Sequence, residues 1–504
     1  MSMTIVKTRD GRLDAADALP FEGLLDRLVR TDAPLMFHIH GGLVDQDAGL
    51  SIAKRLSGGA PLGYDAPAAT EQLYVVWRTG LLETVVTNWP ELHAHDRLYR
   101  ALLGKLLEFF ARRVVPDGTG RGAGCDLDRD EIERRLSTEG EAPFADLDAL
   151  SADADASPRG AAGTTMTEAE LEAQLGRELT RNSQVIAAAQ DIDAASTPPG
   201  GRTPISGDPV AGAGMLRRMD GGPKTAMRAI AAGGTGVDGR GLSATVLRSV
   251  VLHGVAIGRR VLQRMKEGRD HGVHATIVEE LVRELYGDYV GGAVWGMMRQ
   301  DAAEHFAADG MGSALLDAIA AGPPRRVMLV GHSAGSIMIC RLLLEAVRRG
   351  MDRRFEVILL APAVRSRLFA EALAGAPELI DRFRMFALGD KRERRDAVLG
   401  PKTGYLYPSS LLYLVSGLFE DDEGEPFVDA PLLGMQRFRT WAGGSLGEAE
   451  DRYSAAVASF LDGQADAAIY APAHDGSGRS SDATTHGGMD DDPDTLASVG
   501  ALLR

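Results

Sequence analysis

Ser333 stands in the run Gly331-His332-Ser333-Ala334-Gly335, directly after the apolar stretch Val327 to Val330 and directly before an apolar helical pattern that reaches Leu344. A strand that turns into a helix within one or two residues forces its central serine into a strained backbone conformation, and only small neighbours let the two elements approach that closely. Such a turn lifts Ser333 Oγ to where a base can reach it. A serine hydroxyl is a poor nucleophile until a base takes its proton, so the pattern calls for a histidine brought in from elsewhere in the fold. The imidazole in turn needs a carboxylate to fix its tautomer, and Asp390, in Gly389-Asp390-Lys391 just after the strand pattern Phe383 to Leu388, occupies the end of a strand where such a group belongs. Asp396 and the acidic run Glu420-Asp421-Asp422-Glu423 compete for that role, the run also reading as a solvated loop. A tetrahedral oxyanion needs preorganised backbone N–H donors. Ala334 supplies one, and the second is expected from Gly41 or Gly42 in His40-Gly41-Gly42, at the end of an early strand where no side chain obstructs the amides.

Taken together, these residues resemble the α/β-hydrolase superfamily, in particular bacterial hydrolases of the esterase/lipase type. Gly331 to Gly335 resembles the nucleophile elbow, His40 to Gly42 the oxyanion loop, and Asp390 and His486 the acid and base in the chain order Ser, Asp, His. In that order the base lies near the end of the chain, and downstream of His332 there are only His474 and His486. His486, in the small-residue loop Thr484-Thr485-His486-Gly487-Gly488 before the last helix, is the preferred base, with His474 near the end of the last strand as the alternative. The resemblance covers about 34 to 80 and 290 to 504. It departs from the family in lacking clear antiparallel strands before Pro34 and in carrying a long insert between the second strand and the elbow.

The elements that must position these groups follow from periodicity. Pro34 to Val44 and Gln72 to Trp77 read as strands, separated by a helix near Ala48 to Arg55, and Thr84 to Val115 has helical spacing with Arg97, Arg100, Lys105 and Arg112 on its charged side. Helices near Ser243 to Met265, His274 to Tyr286 and Gly310 to Ala321 lead into the elbow. After it come the strand Phe355 to Ala361, a helix near Ser366 to Ala374, the strand Phe383 to Leu388, a helix near Glu448 to Leu461 and the strand Ala467 to Ala471. Asp492 and Pro493 signal the N-terminus of a last helix reaching Leu503. Alternating strands and helices imply a mostly parallel central sheet flanked by helices. The expected architecture is thus an α/β-hydrolase fold in three parts: 1–115 with the oxyanion loop, a mobile insert or cap over 116–241, and 242–504 with elbow, acid and base.

The insert is rich in Gly, Ala, Asp, Ser, Pro and Thr and nearly without aromatics, so it is expected to supply no core of its own and to gate the site. Its one convincing helix runs near Thr167 to Ala188 behind a capping box, Thr167 to Glu170. Gly234 to Gly239 spells G-x-G-x-x-G, but no strand precedes it and the glycines have no pyrophosphate to cradle.

Composition excludes several classes. With 504 residues and a net charge of -16, bulk electrostatics would repel a nucleic acid or an anionic membrane. Cys125 and Cys340 provide neither a disulfide framework nor a multi-cysteine metal site. The opening residues lack the apolar core of a secretory signal, no stretch is cleanly of membrane-spanning length, and a cytoplasmic location is expected. Cys340, two helical turns past Ser333, reads as a core thiol; His38 as a structural strand residue; Asp490 to Asp494 as helix-capping acids; Trp295, Met297 and Met298 as core; Lys391 to Arg395 as a solvated basic loop. The sequence therefore predicts a serine hydrolase acting on a small-molecule or lipid ester, with no metal or organic cofactor required. Amidase, peptidase or thioesterase chemistry on the same triad is one alternative, and a non-catalytic interaction protein on the same scaffold is another.

Overall fold

The computed structural model describes residues 2–42, 44–77, 97–114, 127–138, 143–147, 166–196, 242–286, 292–375, 377–398, 404–422, 425–426, 429–439 and 448–504. At its centre lie eight strands: β1 (Ser2–Arg9), β2 (Arg12–Leu13), β3 (Leu35–Ile39), β4 (Glu71–Trp77), β5 (Val327–His332), β6 (Phe355–Leu360), β7 (Ile380–Leu388) and β8 (Ala468–Ala471). They form one sheet in the order β8-β7-β6-β5-β3-β4-β1-β2. Every neighbouring pair is parallel except β1 with β2. Parallel strands need crossovers that cover both faces, and this is why β3, β4, β5 and β6 are buried along their whole length and read as near-continuous apolar runs.

Side chains alternate between two cores. Phe37, Ile39, Leu329, Val357 and Leu359 pack on one face with the helices Ala18–Arg30, Met311–Ala321, Gly335–Arg348 and Ser366–Gly375, while Met36, Met328, Val330, Ile358 and Leu360 pack on the other with the helices Gln46–Ser57 and Pro493–Leu503. The last helix starts as expected, with Asp492 accepting from Thr495 N–H at 2.8 Å and Pro493 in its first turn. The long parallel strand β1 was not foreseen. Its inward residues are Thr4, Val6 and Thr8, so two of three buried positions are polar in type and mute the alternation that would have marked it.

The insert differs from expectation where it is described. Arg129–Ser137, Glu168–Arg181 and Ser183–Ser196 are helices, and the second opens with the foreseen capping box. Leu171, Leu175 and Leu179, at helical spacing, are fully buried in the same core as Leu102, Leu106, Val250 and Ile257 of the helices Arg97–Val114 and Leu242–Lys266. A leucine stripe supplies the apolar area that the missing aromatics do not. These helices form a bundle with Val273–Tyr286, so this part of the insert has a core after all. Gly234 to Gly239 lies outside the described residues.

A buried ionic cluster ties the bundle to the chain beyond β7. The His271 ring nitrogens bond Glu279 Oε1 and Asp429 Oδ1, both at 2.8 Å; Arg264 pairs with Glu279 at 2.7 Å and Arg437 with Asp429 at 3.1 Å; Tyr407 O–H donates to Glu279 at 2.6 Å. Burying charges is costly unless each is paired and hydrogen-bonded, and these are.

Candidate active site

Ser333 follows β5 directly and has φ 50, the left-handed region that non-glycine residues rarely occupy. Neighbours hold it there. Its N–H donates to Leu360 O at 2.8 Å at the end of β6, and its carbonyl accepts from Ser336 Oγ at 2.5 Å and Ala363 N–H at 3.1 Å. Strain of this kind costs about 1–3 kcal/mol and persists only where the surroundings over-determine it. The flanking glycines are there for contact rather than for torsion: a Cβ on Gly335 would stand 2.5 Å from Ile39 O, and one on Gly331 would stand 2.6 Å from Ile339 Cδ1. Strand, turn and helix can approach this closely only without those side chains.

His486 reaches this serine. Its Nε2 accepts from Ser333 Oγ at 2.9 Å, and the whole residue is buried. His332 Nε2–H donates to the His486 carbonyl at 3.1 Å, with the two rings 5.7 Å apart, so the residue before the nucleophile holds the loop of the base. Arg392 adds a second tether, donating to Asp482 O at 3.0 Å and Ala483 O at 2.7 Å. Burial, and then the neighbouring His332, push the His486 imidazole down to about 3. His474 is exposed on a short β pair and lies 3.7 Å from Asp494, remote from Ser333.

The structure does not bring Asp390, the expected acid, to the His486 imidazole. Its side chain accepts from Tyr413 O–H and, at 2.9 Å, from Arg394 Nε, while its N–H donates to Gln436 Oε1 at 2.8 Å. The physical reason is local: Asp390 opens the one-turn helix Asp390–Glu393, which places Arg394 four residues on, on the same face. Burial opposes its ionisation, but Arg394, Tyr413 and Arg437 prevail and hold the carboxyl at about 2. Asp396, the competing candidate, is the carboxylate beside the base. Its Oδ2 accepts from the His486 backbone N–H at 2.6 Å, and burial lifts its carboxyl to about 6 against the pull of that bond. His486 Nδ1 has no hydrogen-bond partner among the described residues. Asp396 therefore anchors the base through its main chain. Glu420 is buried rather than solvated, accepting from Trp295 Nε1 at 2.6 Å and Arg299 at 3.0 Å, far from this role.

Gly41 and Gly42 lie against the elbow, a Cβ on them meeting Ser333 Cβ at 3.2 Å and Ala334 Cβ at 3.0 Å. Two rings grip the carbonyls of this loop: Trp77 Nε1–H donates to His40 O at 3.0 Å and His40 Nδ1–H to Gly41 O at 2.6 Å. Since N–H and C=O point oppositely across a trans peptide, each bond also fixes the direction of the N–H that follows the carbonyl it holds, that of Gly41 and that of Gly42. Burial pushes the His40 imidazole down to about 4, against the pull of its bond to Gly41, so it is neutral at pH 7 and carries its one proton on Nδ1.

Gly41, Gly42, His332, Ser333, Asp396 and His486 share one cavity of about 440 Å³, with Val44, Ile52, Val398 and Leu411 as apolar wall. That size lies within the usual range for small-molecule sites. Asp490 and Asp491 at its edge are charge-matched by Arg55, at 3.5 Å and 2.8 Å. Of the other residues singled out in the sequence, His38 packs between Tyr64 and Tyr74, Cys340 is a core thiol pushed up to about 12 by burial, and Trp295 and Met298 are buried while Met297 is exposed.

No protein-family model, curated protein or solved structure matches this chain. Sequence reading missed the parts played by His332, Ser336, Trp77 and Arg392. For His332 a signal existed, since the residue before an elbow serine sits at the strand end beside whatever the base loop brings.

Proposed function

We propose that this chain is a serine hydrolase of the α/β-hydrolase type that cleaves an ester through an acyl-enzyme. The observation that carries the reading is Ser333, held at φ 50 with its hydroxyl 2.9 Å from His486 Nε2. The order of the parts supports the family: glycine loop after β3, serine after β5, acid after β7 and histidine after β8.

In this mechanism Ser333 Oγ attacks the ester carbonyl carbon while His486 Nε2 takes its proton, and the N–H groups of Gly42 and Ala334 receive the oxyanion. Collapse breaks the bond to the alcohol oxygen, which leaves with the proton from Nε2. A water then gives its proton to His486 and attacks the acyl carbon, and the acid departs as the proton returns to Ser333.

The test is a fluorophosphonate probe followed by mapping of the adduct, together with turnover of p-nitrophenyl esters. The adduct is expected on Ser333, and labelling that survives Ser333→Ala would overturn the reading in favour of a non-catalytic scaffold or another nucleophile.

A further inference from the structure

Three donors converge on the carbonyl of the strained serine. Ser336 Oγ–H reaches Ser333 O at 2.5 Å, and the N–H groups of Ser336 and Ala363 reach it at 3.1 Å each. Ser336 is fully buried, and its Oγ also accepts from Val364 N–H at 3.1 Å, so one hydroxyl joins the elbow to the turn that follows β6. The bond from Ser333 N–H to Leu360 O closes the clasp from the other side. That turn is itself strained, with Ala361 at φ 42. Of the three donors on Ser333 O, the hydroxyl alone belongs to a side chain.

The carbonyl they hold is part of the peptide that carries Ala334 N–H. In a trans peptide the two groups point oppositely, so bonds on the carbonyl set the direction of that amide. Ala334 is fully buried, yet its N–H has no acceptor among the described residues. A buried N–H without a partner is rare in a folded chain. This one directly follows Ser333, whose Oγ is bonded to His486, and is thus left for an oxygen that the protein does not supply.

We propose that Ser336 is a positioning residue for the oxyanion hole: its hydroxyl, held by Val364 N–H, clamps the Ser333 carbonyl and so aims Ala334 N–H at the carbonyl oxygen of the substrate. This role presupposes the serine-hydrolase reading of Ser333. It gives the clasp a second use, since the bonds that hold Ser333 at φ 50 also fix the donor.

Initial rates of Ser336→Ala on an ester and on the thionoester of the same acid and alcohol test it, because sulfur accepts hydrogen bonds weakly and gains little from the donor. On the ester, kcat is expected to fall about tenfold or more with KM within about twofold, a smaller loss than that of a donor removed outright because this one is only misdirected. On the thionoester the fall should stay within about twofold, since the interaction lost there was weak from the start. Ser336→Cys, which keeps the shape and a weak donor, should lie between the parent and Ser336→Ala, and its ester and thionoester rates carry the test if Ser336→Ala does not fold. Equal losses on the two substrates would mark Ser336 as a structural residue only, and an unchanged ester kcat would show that the backbone donors suffice. Either result overturns the role of Ser336 while the parent still labels with the fluorophosphonate and turns over esters. A parent that does neither overturns the reading of Ser333, and the role of Ser336 with it.

Discussion

Asp396→Asn separates the two ionisable groups of the site more sharply than any other single change. The carboxyl of Asp396 titrates at about 6 and the imidazole of His486 at about 3. If ionised Asp396 is needed to support the imidazolium that forms as Ser333 attacks, kcat/KM falls tenfold per pH unit below about 6, and at pH 5 about one tenth of the plateau remains. If His486 alone set the acid limb, activity would be full down to about pH 4. Asn keeps an oxygen for the His486 N–H but removes the charge, so the limb near 6 should vanish while the plateau drops by about 10²-fold, the scale of one lost electrostatic partner in a transition state. Stability should move the other way. Native Asp396 holds its proton more tightly than the unfolded chain, whose carboxyl has its ordinary value of 3.8, so its contribution is most favourable below 3.8 and is lost as pH rises through about 6. The loss is at most about 3 kcal/mol. Asn does not titrate, and Asp396→Asn should therefore melt up to about 3 °C above the parent at pH 8 and level with it at pH 4. The assay is a pH series of initial rates on a p-nitrophenyl ester with parallel thermal unfolding. A variant that keeps the parental plateau, or an acid limb near 6 that persists after Asp396→Asn, would refute the role assigned to Asp396.

Other changes have distinct signatures. Ser333→Gly should abolish fluorophosphonate labelling yet raise stability by about 1 kcal/mol in a urea titration, because glycine adopts φ 50 without strain. His486→Ala should lower kcat by about 10³ or more, whereas His474→Ala, on an exposed residue, should leave it within about twofold. Asp390→Asn should leave the acid limb near 6 in place and destabilise the protein by about 2 kcal/mol at pH 7. Because the native Asp390 carboxyl is depressed to about 2, that contribution is present above 3.8 and lost as pH falls through about 2, so unfolding measured at pH 7 and pH 2 should show the gap close.

What could be read from the sequence was whatever is written in adjacent residues. The elbow compresses a strand, a strained serine and two obligatory glycines into nine positions, and Gly331 to Gly335 folds accordingly. The capping box at Thr167 and the cap at Asp492 are local in the same sense, each one side chain meeting an N–H three residues on. Strand β1 was lost because threonines at its inward positions look polar although they are buried. The bundle was misjudged because three leucines at helical spacing count for little in an average over more than a hundred residues.

The choice of acid shows why a site is harder to read than a fold. Asp390 and Asp396 both follow β7, six residues apart, and nothing between them favours one over the other as the partner of His486. Distant residues add to the local Arg394: Tyr413, which donates to Asp390, and Arg437, whose charge faces it, belong to the segment that the His271, Glu279 and Asp429 cluster fastens to the bundle. The His271 ring stacks edge-on against Tyr413 at 4.7 Å, so the anchoring of the bundle and the capture of Asp390 are one continuous packing. Asp390 is thereby committed to holding the architecture together. Asp396, beyond the helical turn, is left to meet the His486 loop that Arg392 and His332 draw down onto Ser333.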